Sequence, residues 1–417
     1  MSPSPEPVPD VLTRADFTRD DPSDRYHRQK LLPWWDQGRV SAARAVVVGA
    51  GALGNEVVKL FALLGVGKVL LFDFDRVESS NLNRSVFFRA GDEGLPKAEV
   101  VARRAAELNP DLAVEARNGD VIRAAGLGVF LWADIVVGAV DNRLARLFVN
   151  SACARTGRAW VDGAIEGFAG TARRFDPAAG ACYECTMNAV DRAEVARRRS
   201  CALLMRAAAD AGRVPNTAVT ASLVAALQVQ EAVKALHGQP GLSGEGIHVD
   251  GLLGDYDRVR YPRREECPAH DTLGPLFRLD RGAADLTVGA VLEMARRRFG
   301  DGASIDLSRD VVHRLECPSC GRSDPAGGVV GSLAESAAAC PACGAHRVAV
   351  PVNSLCEGCG VDPDRTLSDI GVPPYDILAV RRGLAPAEGW LLAGDAGEAL
   401  GRLAGGPGSP EETLNPW

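Results

Sequence analysis

Eight of the eleven cysteines fall into four Cys-x-x-Cys pairs, Cys182/Cys185, Cys317/Cys320, Cys340/Cys343 and Cys356/Cys359. Two-residue spacing lets both sulfurs of a knuckle face one tetrahedral metal ion. A different chemistry is offered by GAGALGNE at 49–56, where Gly49, Gly51 and Gly54 fit G-x-G-x-x-G between an apolar run and a helical one. That pattern gives a tight turn and lets a phosphate approach the backbone at a helix N-terminus. Asp73 ends the next apolar run, followed by Asp75, and is placed to accept from a ribose hydroxyl. These features suit a nicotinamide dehydrogenase as well as any other nucleotide enzyme, and a glycine turn that only packs helix on sheet is a further reading.

The segments that follow add charge to the same end of the sheet. FDFDRVESSNLNRSVFF (72–88) supplies Asn81 and Arg84, GLPKAEV (94–100) supplies Lys97, and GAVDNRLAR (138–146) supplies Asp141, Asn142 and Arg146. In an open parallel sheet, ligands sit at the carboxyl ends of the strands, so these groups converge on one crevice. Hydride transfer has no use for an Arg/Lys pair facing an Asp. ATP chemistry does, with cations for the phosphates and a carboxylate for Mg²⁺. No G-x-x-x-x-G-K-[ST] stretch is present, which excludes a P-loop enzyme.

The elements that position these groups alternate between short β-rich runs and longer helical ones, the pattern of a parallel sheet covered by helices. Strands are expected at 44–49, 68–73, 134–140 and 160–162, and helices at 53–64, 97–108, 144–153 and 217–237. An antiparallel section with a Gly-assisted turn is expected at 165–175. The helix at 217–237 is apolar enough for a core or a dimer interface. Composition shifts near residue 275, beyond which the chain reads as short, Gly-rich and punctuated by metal ligands. The fold expected is α/β, a Rossmann-like and mostly parallel sheet with an antiparallel extension over 24–275. A small domain with a zinc ribbon at about 311–347 follows over 276–417, and residues 1–23 form a Pro-rich, disordered tail.

DRYHRQ (24–29), GAGALG, DFD with NLNR, GLPKA, VDNRLAR, ACYEC (181–185), RRRSCALL (197–204) and EECPAH (265–270) occur in one order and register. In this the chain resembles the ThiF/MoeB/ubiquitin-activating superfamily over roughly residues 24–275. The resemblance implies ATP- and Mg²⁺-dependent adenylation of the C-terminal glycine of a ubiquitin-like protein. It implies that Asp73 binds the ribose, that Asn81, Arg84 and Lys97 contact phosphates, and that Asp141 is the metal-linked carboxylate. Arg28 then reaches the ATP of a second subunit, so a homodimer is expected. A terminal carboxylate is ionised at neutral pH and needs no general base. The obstacle is charge, which Arg28, Arg84, Lys97 and Mg²⁺ neutralise as pyrophosphate leaves.

The resemblance also bears on the thiols. Where the family supplies a second Cys-x-x-Cys for the Cys182/Cys185 zinc, this chain has Cys267 and His270, and a Cys₃His site is chemically sound. If His270 is only a surface residue, a C-terminal thiol completes that site. Cys317, Cys320, Cys340 and Cys343 are assigned to a second zinc, with nineteen residues between Cys320 and Cys340. Cys356 and Cys359 are surplus to it. The tail at 364–378 is similar to that of bacterial ubiquitin-activating-like proteins of ubiquitin-like conjugation operons, so a conjugating-type partner enzyme is an expectation too. Cys153 reads as an inert core thiol. Cys201 occupies the position of the family's loop cysteine and follows Arg197–Arg199, cations that favour the thiolate. Thioester formation on Cys201 is therefore expected, against the alternative of adenylation alone on a ThiS/MoaD-like sulfur carrier. A nicotinamide oxidoreductase or a non-catalytic zinc-ribbon adaptor is the reading that Arg84, Lys97 and Asp141 oppose.

Bulk properties fit. A net charge of −7 and a pI near 5.5 argue against a nucleic-acid partner. No apolar run reaches eighteen residues, and the acidic N-terminus is unlike a signal peptide, so a cytoplasmic chain without a membrane span is expected.

Overall fold

The structure, a computed structural model, describes residues 23–192, 215–333 and 335–405. The expected tail and Cys201 lie outside the described residues, apart from residue 23. The first body is an eight-stranded sheet in the order β3-β2-β1-β4-β5-β6-β7-β8. Its strands are β1 (Arg44–Val48), β2 (Lys68–Asp73), β3 (Ala113–Asn118), β4 (Ile135–Gly138), β5 (Trp160–Glu166), β6 (Ala169–Phe175), β7 (Glu245–Asp250) and β8 (Asp255–Arg260). Strands β3, β2, β1, β4 and β5 run parallel, while β6, β7 and β8 extend the sheet antiparallel. The expected strands and antiparallel section are present; β3, β7 and β8 complete the sheet beyond them.

Strands β1, β2 and β4 are buried on both faces, which is why they read as continuous apolar runs. Side chains alternate between two cores. Ala45, Val47, Val69, Leu71 and Val137 pack under α1 (Ala52–Leu64), α2 (Lys97–Leu108) and α4 (Ala218–Leu236). Val46, Val48, Leu70, Phe72 and Val136 face the opposite layer, which holds the short helix Leu127–Trp132 and α3 (Arg143–Thr156). The apolar helix expected at 217–237 is α4; it packs on α1, β5 and β6. Gly65 and Gly157 end α1 and α3 in the left-handed conformation, as helix C-termini favour.

The region beyond residue 275 brings the four cysteines of the expected ribbon together, and it holds more besides. It builds a six-stranded sheet, β11-β10-β13-β14-β9, with β12 also paired to β10. The strands are β9 (Leu276–Leu279), β10 (Ala303–Glu316), β11 (Ser323–Pro325), β12 (Val348–Leu355), β13 (Ile377–Arg382) and β14 (Glu388–Leu392). With α5 (Val288–Phe299) it forms its own core around Leu286, Val291, Ile305, Leu355, Leu378 and Trp390. Its other side contributes Tyr375, Ile377, Leu391 and Leu400 to the second core of the first sheet. A polar knot fixes that junction. Asp376 accepts from Leu127 N (2.8 Å) and Ser308 Oγ (2.6 Å). Arg309 donates to the Ile122 and Ala125 carbonyls and lies over the Phe148 ring, 4.9 Å from its centroid.

Candidate functional site

The order β3-β2-β1-β4-β5 reverses direction between β1 and β4, and a ligand crevice opens at such a point. The glycine loop follows β1 there. Gly49 has φ +102°, and a Cβ on it would sit 2.4 Å from the Ala139 carbonyl beyond β4; a Cβ on Gly54 would collide with the Gly49 carbonyl. Gly51 differs, since the space its Cβ would take is open. Two glycines thus close the turn and the third leaves an approach to the N-terminus of α1, whose first N–H groups suit an anion. Asn55, fully buried, donates to the Ala50 and Gly51 carbonyls and accepts from Phe87 N, so one amide holds the loop in shape. The sequence signal for it was a polar residue inside an apolar helix face.

Asp73 is tied to that loop. One carboxylate oxygen accepts from Ala50 N (2.6 Å) and the other from Asp75 N (2.7 Å). Burial pushes its carboxyl up, against the pull of those two N–H groups and of Lys97. A carboxylate has lone pairs beyond the two in use, so a ribose hydroxyl can still donate to it. Asp75 in turn accepts from Lys97 Nζ (2.8 Å), and Lys97 N donates to the Asp75 carbonyl. The loop between them folds back through the Val77 and Gly94–Leu95 bonds, which is how residues 22 apart meet. Asn81 is buried and caps its own turn through Glu78 N. Arg84, partly exposed on the same loop, donates to the Ser80 carbonyl and Asn83 Oδ1.

Across the crevice, the β4–α3 loop touches the glycine loop through Ala139, whose N–H donates to the Val48 carbonyl at 2.7 Å. Asp141 stands exposed on it. Asn142 is the N-cap of α3, its side chain accepting from Ala145 N at 2.7 Å. Arg146 faces inward rather than to the crevice. It donates to Asp162 Oδ1 (3.0 Å), the Val140 carbonyl (2.6 Å) and the Gly163 carbonyl (3.0 Å). Asp162 is wholly buried and is shared with Arg173, while Gln228 of α4 donates to the Gly138 carbonyl at 2.8 Å. The loop carrying Asp141 is therefore held by side chains from α3 and α4, a function that spacing along the sequence does not reveal.

Arg28 lies elsewhere. Its helix, His27–Lys30, docks at the far end of α1, where Gln29 Nε2 donates to the Leu64 carbonyl and Tyr26 packs at Gly65. Thirteen helical residues span about 20 Å, so Arg28 is remote from this chain's own glycine loop.

Two cysteine clusters take shape. Cys182 lies 3.8 Å from Cys185 and 3.7 Å from Cys267, and Cys185 Sγ lies 3.4 Å from His270 Nε2. A tetrahedral ion with Zn–S bonds of about 2.3 Å sets its sulfurs about 3.8 Å apart, so the donors fit Zn²⁺. Burial pushes the Cys182 thiol up to about 12 and, with Arg263 and Arg264, pulls His270 down. A bound cation would reverse the first effect, and the second favours the neutral imidazole that a metal requires. In the second cluster Cys317 and Cys343 are 3.5 Å apart, and Cys320 and Cys340 3.7 Å. It sits on the arm between β10 and β12. Cys356 and Cys359 join neither cluster, and Cys153 is buried, with its thiol pushed well above the usual range by burial. Among the described residues, no helix is long and apolar enough to cross a membrane.

Known proteins are similar to this chain over the first body. The chain is 34% identical over 255 residues to the SAMP-activating enzyme E1 of Haloferax volcanii, covering 59% of this chain and 87% of that one. It is 34% identical over 261 residues to the sulfur carrier protein adenylyltransferase of Thermus thermophilus, covering 59% and 89%. Escherichia coli MccB crystallised with succinimide shares the fold, with a TM-score of 0.50 at 21% identity over 60% of this chain and 74% of that one. The ThiF family model spans residues 26–269, from the helix bearing Arg28 to the last residue before His270, and by that match the chain belongs to the ThiF family.

Proposed function

We propose that this protein is an ATP-dependent adenylyltransferase that activates the C-terminal glycine of a ubiquitin-like protein and then takes it as a thioester on Cys201. The observation that carries the first step is the chain of bonds from Ala50 N through Asp73 and Asp75 to Lys97 at the open glycine loop. That chain of bonds supports a reading in which a ribose acceptor, a phosphate cation and a helix N-terminus serve one nucleotide at the carboxyl end of the sheet. The incoming carboxylate oxygen bonds to the α-phosphorus as the bond to pyrophosphate breaks. Lys97, Arg84 and the α1 N-terminus offset the accumulating negative charge. Asp141 is the residue exposed to hold Mg²⁺, which when bound screens the phosphates. Arg28, about 20 Å away in its own chain, acts on the crevice of a second copy, which makes the working unit a homodimer. The two cysteine clusters hold structural Zn²⁺, and the product passes to a conjugating-type enzyme.

Adenylation alone is the second reading, favoured by the Thermus relative, whose name is that of an adenylyltransferase for a sulfur carrier. Isotope exchange between pyrophosphate and ATP tests the shared step. It should require Mg²⁺ and a carrier with a free C-terminal glycine, and Asp141→Ala should abolish it in a folded protein. Full exchange by that variant would remove the assignment of Asp141. NAD binding in place of ATP would remove the whole reading.

A further inference from the structure

The pair left over, Cys356 and Cys359, is built unlike the two knuckles of the ribbon. In those, the turn closes over five residues, Gly321 N donating to the Cys317 carbonyl (2.9 Å) and Gly344 N to that of Cys340 (2.8 Å). Backbone N–H groups of Ser319 and Cys320 point at the Cys317 sulfur, and those of Ala342 and Cys343 at the Cys340 sulfur. Such donors prepare a thiolate for a metal. At Cys356-Glu357-Gly358-Cys359 the turn closes one residue earlier, with Cys359 N donating to the Cys356 carbonyl at 3.2 Å. Gly358 takes φ +77° as the third residue, the signature of a type II turn.

A β-turn holds its first and fourth α-carbons within about 7 Å, the range a disulfide spans. What acts on the Cys356 thiol is burial and the facing Cys359 thiol. No third His, Cys, Asp or Glu among the described residues joins the pair to complete a metal site. Both cysteines are partly exposed, so a small oxidant can reach them. The turn is also anchored. Leu355 pairs with Ile305 of β10 immediately before it, and Cys359 packs against the core of the second sheet.

We propose that Cys356 and Cys359 form a reversible dithiol–disulfide site, reacting by exchange with low-molecular-weight disulfides of the glutathione type. One thiolate attacks the oxidant's disulfide, forming a mixed disulfide and expelling one small thiol. The second cysteine attacks the sulfur held by the protein, closing the Cys356–Cys359 bond and expelling the other. The protein loses two electrons and two protons, and the oxidant gains them as two thiols. Because the fold already holds the turn, closure leaves the rest of the second sheet in place.

The test uses the full chain in its metal-loaded form, equilibrated in glutathione buffers of increasing oxidised fraction, then acid-quenched, alkylated and analysed by peptide mass. The peptide with Cys356 and Cys359 should lose both alkylation sites together and become lighter by two hydrogens. Dithiothreitol should restore it, with the metal content of the protein unchanged throughout. Cys356→Ser should instead trap one glutathione on Cys359. The proposal is overturned if the pair stays alkylatable until the ribbon cysteines are also oxidised, or if it links two chains on a non-reducing gel. Protection that a chelator removes and a reductant does not would also overturn it, by marking the pair as a metal site.

Discussion

Replacing Arg146 with methionine removes three hydrogen bonds from the heart of the site while keeping most of the side chain's volume. The guanidinium holds the Val140 and Gly163 carbonyls and one oxygen of Asp162, which is fully buried. Removing one partner of a buried ion pair costs about 3–5 kcal/mol, because the other charge stays buried without compensation. Arg173 still contacts Asp162, which places Arg146→Met at the lower end, about 3 kcal/mol. Arg146→Lys keeps the charge but, with a single ammonium, loses two of the three bonds, at about 0.5–1.5 kcal/mol each. The freed Val140 carbonyl belongs to the residue before Asp141, so the loop carrying that carboxylate loses its anchor. A misplacement of about 1 Å in a reacting group can cost about 10²-fold in rate. Pyrophosphate exchange measured against Mg²⁺ concentration, beside chemical denaturation of the same samples, separates the two effects. The expected result is that Arg146→Met needs far more Mg²⁺ and exchanges about 10²-fold more slowly at saturation, while Arg146→Lys falls between it and the parent. Wild-type exchange and Mg²⁺ dependence in an Arg146→Met protein that has lost stability would refute the positioning role and leave Arg146 a purely structural residue.

Elemental analysis should find two Zn²⁺ per chain; His270→Ala should loosen only the Cys182/Cys185/Cys267 site and leave the ribbon ion bound, and one or three ions would overturn the assignment. Mixing Arg28→Ala chains with Asp141→Ala chains should restore about one working site per heterodimer, because the two defects then fall in different crevices; no recovery, or a monomer by light scattering, would contradict the shared site. Cys201→Ala should lose a carrier adduct that is sensitive to thiol reductant, while keeping pyrophosphate exchange; an adduct that persists would move the acceptor to another cysteine. Asp376→Ala strands Arg309 at the junction of the two sheets and should lower stability by about 3 kcal/mol or more, seen as an earlier denaturation midpoint.

Much of the first sheet was legible because its signals are local. A strand buried on both faces must be a run of apolar residues, and a helix that starts on a glycine turn and ends at Gly65 shows both ends in the sequence. Strand β3 carries no such signal, because AVEARN is the edge strand of the sheet and lacks that apolar run. The sequence by itself determined the four Cys-x-x-Cys pairs, the glycine loop and the acidic ends of β2 and β4, since each is a motif of fixed short spacing. Which of these groups meet was decided by the tertiary structure. Cys182 and Cys267 stand 85 residues apart and come within 3.7 Å only once the antiparallel extension is in place. Arg146 looks in sequence like a companion of Arg84, yet folding gives it a buried carboxylate and two carbonyls for partners. Asn142, by contrast, finds its partner three residues on, as the N-cap of α3, a local contact. Arg28 is close to the glycine loop in sequence and a helix length away in space, because α1 lies between them. The second sheet was hidden for the same reason, since part of what it buries packs against the first. Hydrogen bonds and burial act across space, so a side chain's partner, and with it its function, is fixed only when distant segments are packed together.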